Sequence, residues 1–388
     1  MLRALGFFVF VFGFMALPAV LLRWGFREAW SKWLGAVVFS GYALALVLSG
    51  LFALNRVDAP GFAWYSVMGA NTILVAGLAV IASAFVWGPI LWWMRRQTQA
   101  ESTVNLARRR VLMGATQAVP ALSVMMSPAG VRAAMKDPIV RRVSIPIRDL
   151  PPGLEGLRIL QLTDVHFGVH IEATQFEKIV RVAREYAPDM VVLTGDIADD
   201  YSKLGPALRY LKELETPLGV FACIGNHEIY RGRAEAEKIY AEHGVHYLCN
   251  DGTLIERGGD SFWLAGADDP ARLFRDRGSF FTRTVKAALS GCPDDVSTQV
   301  LLCHRPRGFD AAAELGVSLT LSGHTHGGQV AFAGRSLFEP LMPSRYLLGH
   351  YQRGESHLYT SAGLGHWLPF RLNCPCEGAL IELSRATA

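Results

Sequence analysis

No histidine occurs before His166 and no cysteine before Cys223, so all eleven histidines and all six cysteines of this 388-residue chain lie in its later part. Imidazole, thiol and metal-ligand chemistry is therefore confined to the second half. Charge is missing from the other end: residues 1–94 are rich in Phe, Leu, Val, Ala and Trp and almost devoid of ionisable side chains, which is not the composition of a water-facing surface. No Cys-x-x-Cys pair is present, which argues against a structural zinc ribbon. The even cysteine count leaves pairing open for Cys374 and Cys376, whereas Cys223 and Cys303 sit in apolar runs and read as buried small hydrophobes. There is no internal repeat and no low-complexity tract, so solenoid and disordered architectures drop out.

What charge there is divides unevenly. Residues 1–150 carry 15 Lys and Arg against 5 Asp and Glu, while residues 151–388 carry 23 against 29. The basic excess sits in short clusters beside apolar segments, which is membrane-protein usage. An acidic second half argues against nucleic acid as a partner.

Three apolar stretches, approximately 4–22, 34–54 and 64–94, are long enough to cross a bilayer, which takes about 20 residues. Trp24, Trp30 and Trp33, and then Trp87, Trp92 and Trp93, fit aromatic belts at the interfaces. Arg23, Arg27 and Lys32 mark the first loop and Arg95, Arg96 and Arg108–Arg110 the third, whereas the second holds only Arg56 against Asp58. Loops one and three are expected in the cytoplasm and the N-terminus outside. A fourth stretch, 111–131, is weaker because it contains Gln117, Pro120 and Pro128. Before it, Arg108-Arg109-Arg110-Val111-Leu112 resembles a twin-arginine export signal, although three spans precede it and basic residues also follow. If this stretch crosses, the second half is extracytoplasmic, which is the expectation; if not, it is cytoplasmic. The domains expected are a transmembrane region at 1–131 with three to four helices, a linker at 132–153 leading into an edge strand, and a catalytic domain at 154–388. The localisation expected is a multi-pass protein of the cell (inner) membrane.

From Arg158 onward, short apolar runs alternate with segments of helical period. Strands are predicted at 158–162, 190–193, 219–224, 253–257, 262–266, 299–303, 318–321, 329–332, 358–361 and 379–382. Helices are predicted at 173–186, 203–214, 233–243 and 307–315. Five short blocks follow predicted strands: Asp164-Val165-His166, Gly195-Asp196, Gly225-Asn226-His227-Glu228, His304, and Gly323-His324-Thr325-His326. Taken alone, the first reads more readily as a capped turn and the third equally well as a tight turn. Two imidazoles two residues apart, as in the last, have few structural uses. Side chains at the carboxyl ends of strands line the crevice where α/β sheets bind ligands. Oxygen and imidazole donors gathered there suit two divalent cations about 3.5–4 Å apart, which clamp a phosphoryl group and the attacking oxygen. Two cations so close need a bridging anion, and the Asp196 carboxylate fits.

In this order the blocks resemble the calcineurin-like metallophosphoesterases, specifically a membrane-anchored or exported bacterial phosphodiesterase branch, over residues 156–384. The resemblance implies a four-layer α/β/β/α sandwich. It implies one metal on Asp164, His166 and His326, a second on Asn226, His304 and His324, and Asp196 between them. It also implies that His227 contacts the scissile phosphate and assists the leaving group. Cys303 stands where glycine or serine is commoner in the family, and extra carboxylates at Asp199 and Asp200 follow the Gly-Asp block; Asp199 is assigned a place beside the metals. Arg345 and Arg371 are candidate phosphate partners, since guanidinium matches phosphate bidentately, though ordinary salt bridges account for them equally. His366 is a candidate for the site mouth; His170, His243, His246, His350 and His357 read as surface or satisfied histidines.

The function expected is a membrane-anchored dinuclear phosphoesterase. It hydrolyses phosphodiester or pyrophosphate bonds, of a lipid-linked substrate by virtue of its tether, through attack of a metal-bound hydroxide. Mn, Fe and Zn all suit the ligand types. The alternatives are a catalytically silent membrane scaffold or sensor on the same fold, disfavoured because every expected ligand is present, and a nuclease, disfavoured by the acidic second half.

Overall fold

The structure, a computed structural model, describes residues 17–24, 26, 37–45, 62–97, 106–168, 171, 173–271, 277–342, 346–366 and 368–386. The chain divides into two units: Met1–Ala133 with Leu368–Phe370, and Ala134–Trp367 with Arg371–Ala388.

All secondary structure described in the first unit before residue 134 is helical: 17–24, 37–45, Phe62–Gln97 and Leu106–Ala134. Most of the two earliest expected spans lies outside the described residues. The third falls within Phe62–Gln97, whose segments Thr72–Ile81 and Ser83–Met94 meet at 44°. The doubtful fourth stretch is a continuous helix through Pro120 and Pro128. Thr116, Ser123 and Ser127 each turn a hydroxyl onto the carbonyl four residues earlier, a local bonding pattern that helps membrane helices tolerate proline. Val111–Ala134, a 24-residue helix whose most apolar 18 residues have a mean hydropathy of 1.2, is by itself long and apolar enough to cross a bilayer. At 1.5 Å per residue it covers about 36 Å, against about 30 Å of hydrocarbon. Val111, Leu122 and Met125 are exposed along it, the reverse of a core helix.

The described residues of the second unit form fourteen strands, and twelve of them make two six-stranded mixed sheets. In the first sheet, β1 (Ile139–Ile147) pairs parallel with β14 (Glu377–Arg385), which runs antiparallel to β2 (Arg158–Leu162). Next come β3 (Met190–Thr194), β4 (Val220–Cys223) and β5 (Val245–Tyr247), all parallel to β2. The second sheet has the order β12 (Gly349–Arg353), β13 (Ser356–Thr360), β9 (Leu319–Ser322), β8 (Gln299–Leu302), β7 (Asp260–Gly266) and β6 (Asp251–Arg257), antiparallel only at its two ends. The small hairpin of β10 (Ala331–Phe332) and β11 (Arg335–Ser336) stands apart.

Residue alternation shows how the layers stack. Met190 and Val192 of β3 share a core with Val300 and Leu302 of β8, so the inner faces of the two sheets meet. The intervening Val191 and Leu193 pack outward with Phe176, Ile179 and Leu208, from helices Ala173–Arg184 and Tyr201–Leu211. On the other side, Leu301 packs with Phe281 and Val285 of helix Arg277–Leu289. The strands are buried on both faces, which is why they read as unbroken apolar runs. The layers are helix, sheet, sheet, helix, as the resemblance implied.

Two boundaries move. The expected linker contains β1 as a nine-residue strand of the first sheet, so the second unit begins at Ala134. The helix Arg277–Leu289, with Phe281 and Val285 inward, had no counterpart in the sequence reading.

Candidate metal centre

Strands β2, β3 and β4 of one sheet and β8 and β9 of the other run into the loops that hold Asp164, Asp196, Asn226, His304 and His324. Five of the expected ligands sit in the left-handed backbone region: Asp164 (φ 52°), His166 (54°), Asp196 (53°), His324 (69°) and His326 (48°). Non-glycine residues adopt it at a cost, and such outliers gather where function demands them. Glycine makes the close approaches possible. A Cβ on Gly225 would lie 2.3 Å from Asp196 Oδ1, and one on Gly323 would lie 2.1 Å from Asp164 Oδ2.

The ligand atoms fall into overlapping clusters, within 4.8 Å in each: Asp164, His166 and His326; Asp196, His304 and His324; and His166, Asp196 and His227. Asp196 joins the halves, its Oδ2 being 3.1 Å from His304 Nε2 and 4.0 Å from His166 Nε2. Asn226 meets the second cluster through Arg305, as described below.

The chain sets the orientation of each imidazole from its outer nitrogen. His304 Nδ1 donates to the Thr194 carbonyl (2.8 Å) and His326 Nδ1 to the Gly365 carbonyl (3.1 Å), which presents both Nε2 atoms inward. His166 Nδ1 lies 2.9 Å from Asp199 Oδ2. Its Nε2 is buried with no hydrogen-bond partner among the described residues. A buried, unpaired imidazole nitrogen facing two carboxylates is costly unless a cation takes its lone pair. The donor set is all oxygen and imidazole, which fits borderline divalent cations such as Mn, Fe and Zn.

Burial pulls the His304 imidazolium down, but the adjacent Asp196 carboxylate outweighs it and pushes the group up to about 10. Burial would raise Asp196, yet His304 and His166 hold it well below the usual carboxylate range. Burial also lowers His326, to about 3, which keeps its Nε2 lone pair available at neutral pH.

Asp199 holds the expected acid group as well as a ligand. Its Oδ1 is 2.7 Å from His227 Nδ1 and 3.1 Å from Arg231 Nε, while its Oδ2 holds His166. Burial would raise its carboxyl; the two histidine bonds lower it instead. His227 is also fixed by its backbone N–H, which donates to Asp196 Oδ1 at 2.8 Å.

Two residues of the centre had no role in the sequence reading. Glu228 is buried and accepts backbone N–H bonds from Asp196 (2.9 Å), Ile197 (2.6 Å) and Gly225 (2.9 Å), tying together two ligand loops. Arg305, also buried, donates from Nε to Asp269 Oδ2 (2.6 Å), from one amino group to His324 Nε2 (2.7 Å) and from the other to Asn226 Oδ1 (3.0 Å). Its position directly after His304 was the available signal. The expected phosphate partners fare differently. Arg345 lies outside the described residues. Arg371 is wholly buried and spends its guanidinium on the carbonyls of Ala362, Gly363, Gly365, Cys374 and Pro375, so it pins the loop behind His326 and Asp164 rather than facing a phosphate. His366 is buried, and all six cysteines are free thiols.

A family model for calcineurin-like phosphoesterases matches residues 157–328. The chain is 32% identical over 346 residues to a transmembrane protein with metallophosphoesterase domain from Bos taurus, covering 83% of this chain and 73% of the relative. The chain belongs to the calcineurin-like metallophosphoesterase family. A Danio rerio protein with the same description is 30% identical over 332 residues, with the same two coverages. Escherichia coli phosphodiesterase YaeI is 29% identical over 236 residues, 58% of this chain and 82% of that one. Membership in the family implies metal-dependent phosphoester hydrolysis, and the His and Asp clusters are of a kind that could hold the metal.

Proposed function

We propose that this metallophosphoesterase is a membrane-tethered phosphodiesterase that holds two divalent cations and cleaves phosphodiester or pyrophosphate bonds of a lipid-linked substrate. The observation carrying the two-cation reading is the sharing of Asp196 between an Asp164–His166–His326 cluster and a His304–His324 cluster. One cation would rest on Asp164, His166 and His326, the other on Asn226, His304 and His324, with Asp196 serving both. When bound, such a pair supplies the nucleophilic oxygen at neutral pH and stabilises charge developing on the phosphoryl oxygens.

The chain's own residues account for the rest. His227, anchored at Nδ1 by Asp199, would give a proton to the departing oxygen. Arg305, held by Asp269 and reaching His324 and Asn226, would take the phosphate-binding part for which the buried Arg371 is not available. An arginine can only donate, so it needs acceptors. With cations held by the neighbouring ligands, the Arg305 guanidinium beside His324 and Asn226 would be placed to bind a phosphoryl oxygen.

The bilayer tether is supported by helix Val111–Ala134 and by the printed names of the bovine and zebrafish relatives. The phosphodiester preference is supported by the name of the bacterial relative. The multi-pass topology, the inner-membrane location and an extracytoplasmic site are part of the same proposal, as is the expectation of no nucleic-acid partner. Metal analysis of the purified full chain, joined to a screen of diesters, monoesters and lipid pyrophosphates, tests it. Two cations per chain and preferential diester or pyrophosphate cleavage are expected. One cation or none, or turnover only of monoesters, overturns the reading.

A further inference from the structure

Among the described residues of the second unit, nine large hydrophobic side chains are exposed, and five of these fall within eleven positions: Phe332 (73% exposed), Leu337 (58%), Phe338 (40%), Leu341 (77%) and Met342 (42%). Phe332 lies on the β10–β11 hairpin, Leu337 and Phe338 directly after it, and Leu341 and Met342 in and just after the short turn Glu339–Leu341. The pairing Phe332↔Arg335 leaves Ala333 (φ 48°) and Gly334 (φ 78°) as a two-residue tip with both backbones left-handed, the tight hairpin geometry that matches strand twist. The only charges between Phe332 and Met342 are Arg335 and Glu339, and they face each other at 3.6 Å. Arg335 also lies over the Tyr351 ring, 4.4 Å from its centre. What remains outward is apolar.

This patch adjoins the metal centre. The turn carrying His324 and His326 ends at Gly328, where a Cβ would lie 2.9 Å from the Phe338 ring and 2.9 Å from Ser336 Oγ. Leu337 N–H donates to the Val330 carbonyl at 2.9 Å, folding the hairpin back onto that turn.

We propose that the β10–β11 hairpin is a bilayer-docking element, which seats its apolar side chains among lipid acyl chains beside the metal centre. Apolar patches of this kind in a monomer mark an interaction surface, and the occupant is argued from the chain itself. Helix Val111–Ala134, with its exposed apolar side chains, ends five residues before β1, so the second unit cannot diffuse from a membrane that this helix crosses. Aromatic and aliphatic side chains flanking an internally neutralised charge pair suit the headgroup–acyl boundary. Docking there would let a phosphodiester reach the site from the lipid phase, with its acyl chains left in the bilayer. The inference rests on the membrane-tether part of the proposed function and not on its chemistry.

A photo-crosslinking test reads docking without reading activity. A benzophenone amino acid is placed at Phe332, at Leu341 and, as control, at exposed Asp295, which precedes β8 and so lies at the end of that strand away from the metal centre. The full chain is reconstituted into phosphatidylcholine–phosphatidylglycerol vesicles and irradiated. Lipid adducts at 332 and 341 with none at 295 are expected. Adducts to protein alone, from a second copy or from the chain's own helices, overturn the proposal, as do equal lipid yields at all three positions. Lipid adducts without hydrolysis of any lipid diester would leave docking standing and remove the lipid substrate instead.

Discussion

Asp199 is the residue on which the proposed ligand and acid roles meet, because one carboxylate holds both His166 and His227. His227→Ala should therefore leave metal content unchanged and lower turnover about 10²–10⁴-fold, the usual span for a positioned acid–base group. The loss should shrink for substrates with good leaving groups, and equal losses across leaving groups of different basicity would count against proton donation. Arg305→Met should raise KM and weaken inhibition by inorganic phosphate about 10- to 100-fold, the worth of a charge-assisted bond at about 1.5–3 kcal/mol. Unchanged phosphate inhibition at normal metal content would return Arg305 to a purely structural part. His304 gives the pH dependence. Its folded value of about 10 lies above the ordinary imidazole range, so in metal-free protein its pairing with Asp196 stabilises fully below about pH 6.5 and is lost as pH rises through about 10. A cation must displace that proton, so metal affinity should rise over the same window. Thermal unfolding with and without metal checks both signs: the gap between the two melting temperatures should widen as pH increases.

Secondary-structure elements were read well wherever one principle acted alone. The strands β2, β3, β4, β8 and β9 are short apolar runs ended by glycine or a polar ligand, and the structure has them within a residue or two of the expected bounds. Helix Arg277–Leu289 escaped although Phe281, Val285 and Ala288 stand at helical spacing, because Thr282, Arg283, Thr284 and Lys286 interrupt the apolar residues. Its helical state depends on packing against Leu301 and Trp263, which local pattern does not contain. The loop elements carry the site's rigidity, and Glu228 is their clasp. Glu228→Gln puts an NH₂ where a carboxylate oxygen accepts backbone N–H groups, so it should cost about 1–3 kcal/mol. Thermal unfolding in detergent should show a lower melting temperature together with reduced metal content. An unchanged melting temperature would mean that the Asp196 and Asn226 loops hold themselves.

At the scale of the whole molecule, the proposed membrane tether makes a prediction about sidedness. If 111–131 crosses after Arg108–Arg110, the metal centre works outside the cytoplasm. Alkaline phosphatase, active only after export, and a cytoplasmic fluorescent protein, each fused after Ala388, report the answer directly. Phosphatase activity without fluorescence is expected. The reverse would leave 111–131 uncrossed and redirect the substrate search to intracellular lipid precursors, with the metal chemistry unaltered.

Candidate donors were legible in the sequence as oxygen and imidazole side chains just after apolar strands, and the structure brings Asp164, His166, Asp196, His304, His324 and His326 into overlapping clusters. The second unit's α/β character was legible in short apolar runs alternating with segments of helical period, whereas its four-layer arrangement was implied by the family resemblance. Tertiary structure decided what depends on contacts between distant residues. Sheet order is one case, with β14 from the end of the chain inserted between β1 and β2. Another is the fate of the arginines: Arg371 looked available for phosphate but is buried against five carbonyls, while Arg305 looked like a neighbour of a ligand and reaches both Asn226 and His324. A guanidinium has the same charge in either place. Only the fold determines whether backbone carbonyls or the metal ligands receive its hydrogen bonds, because those partners are far away in the chain.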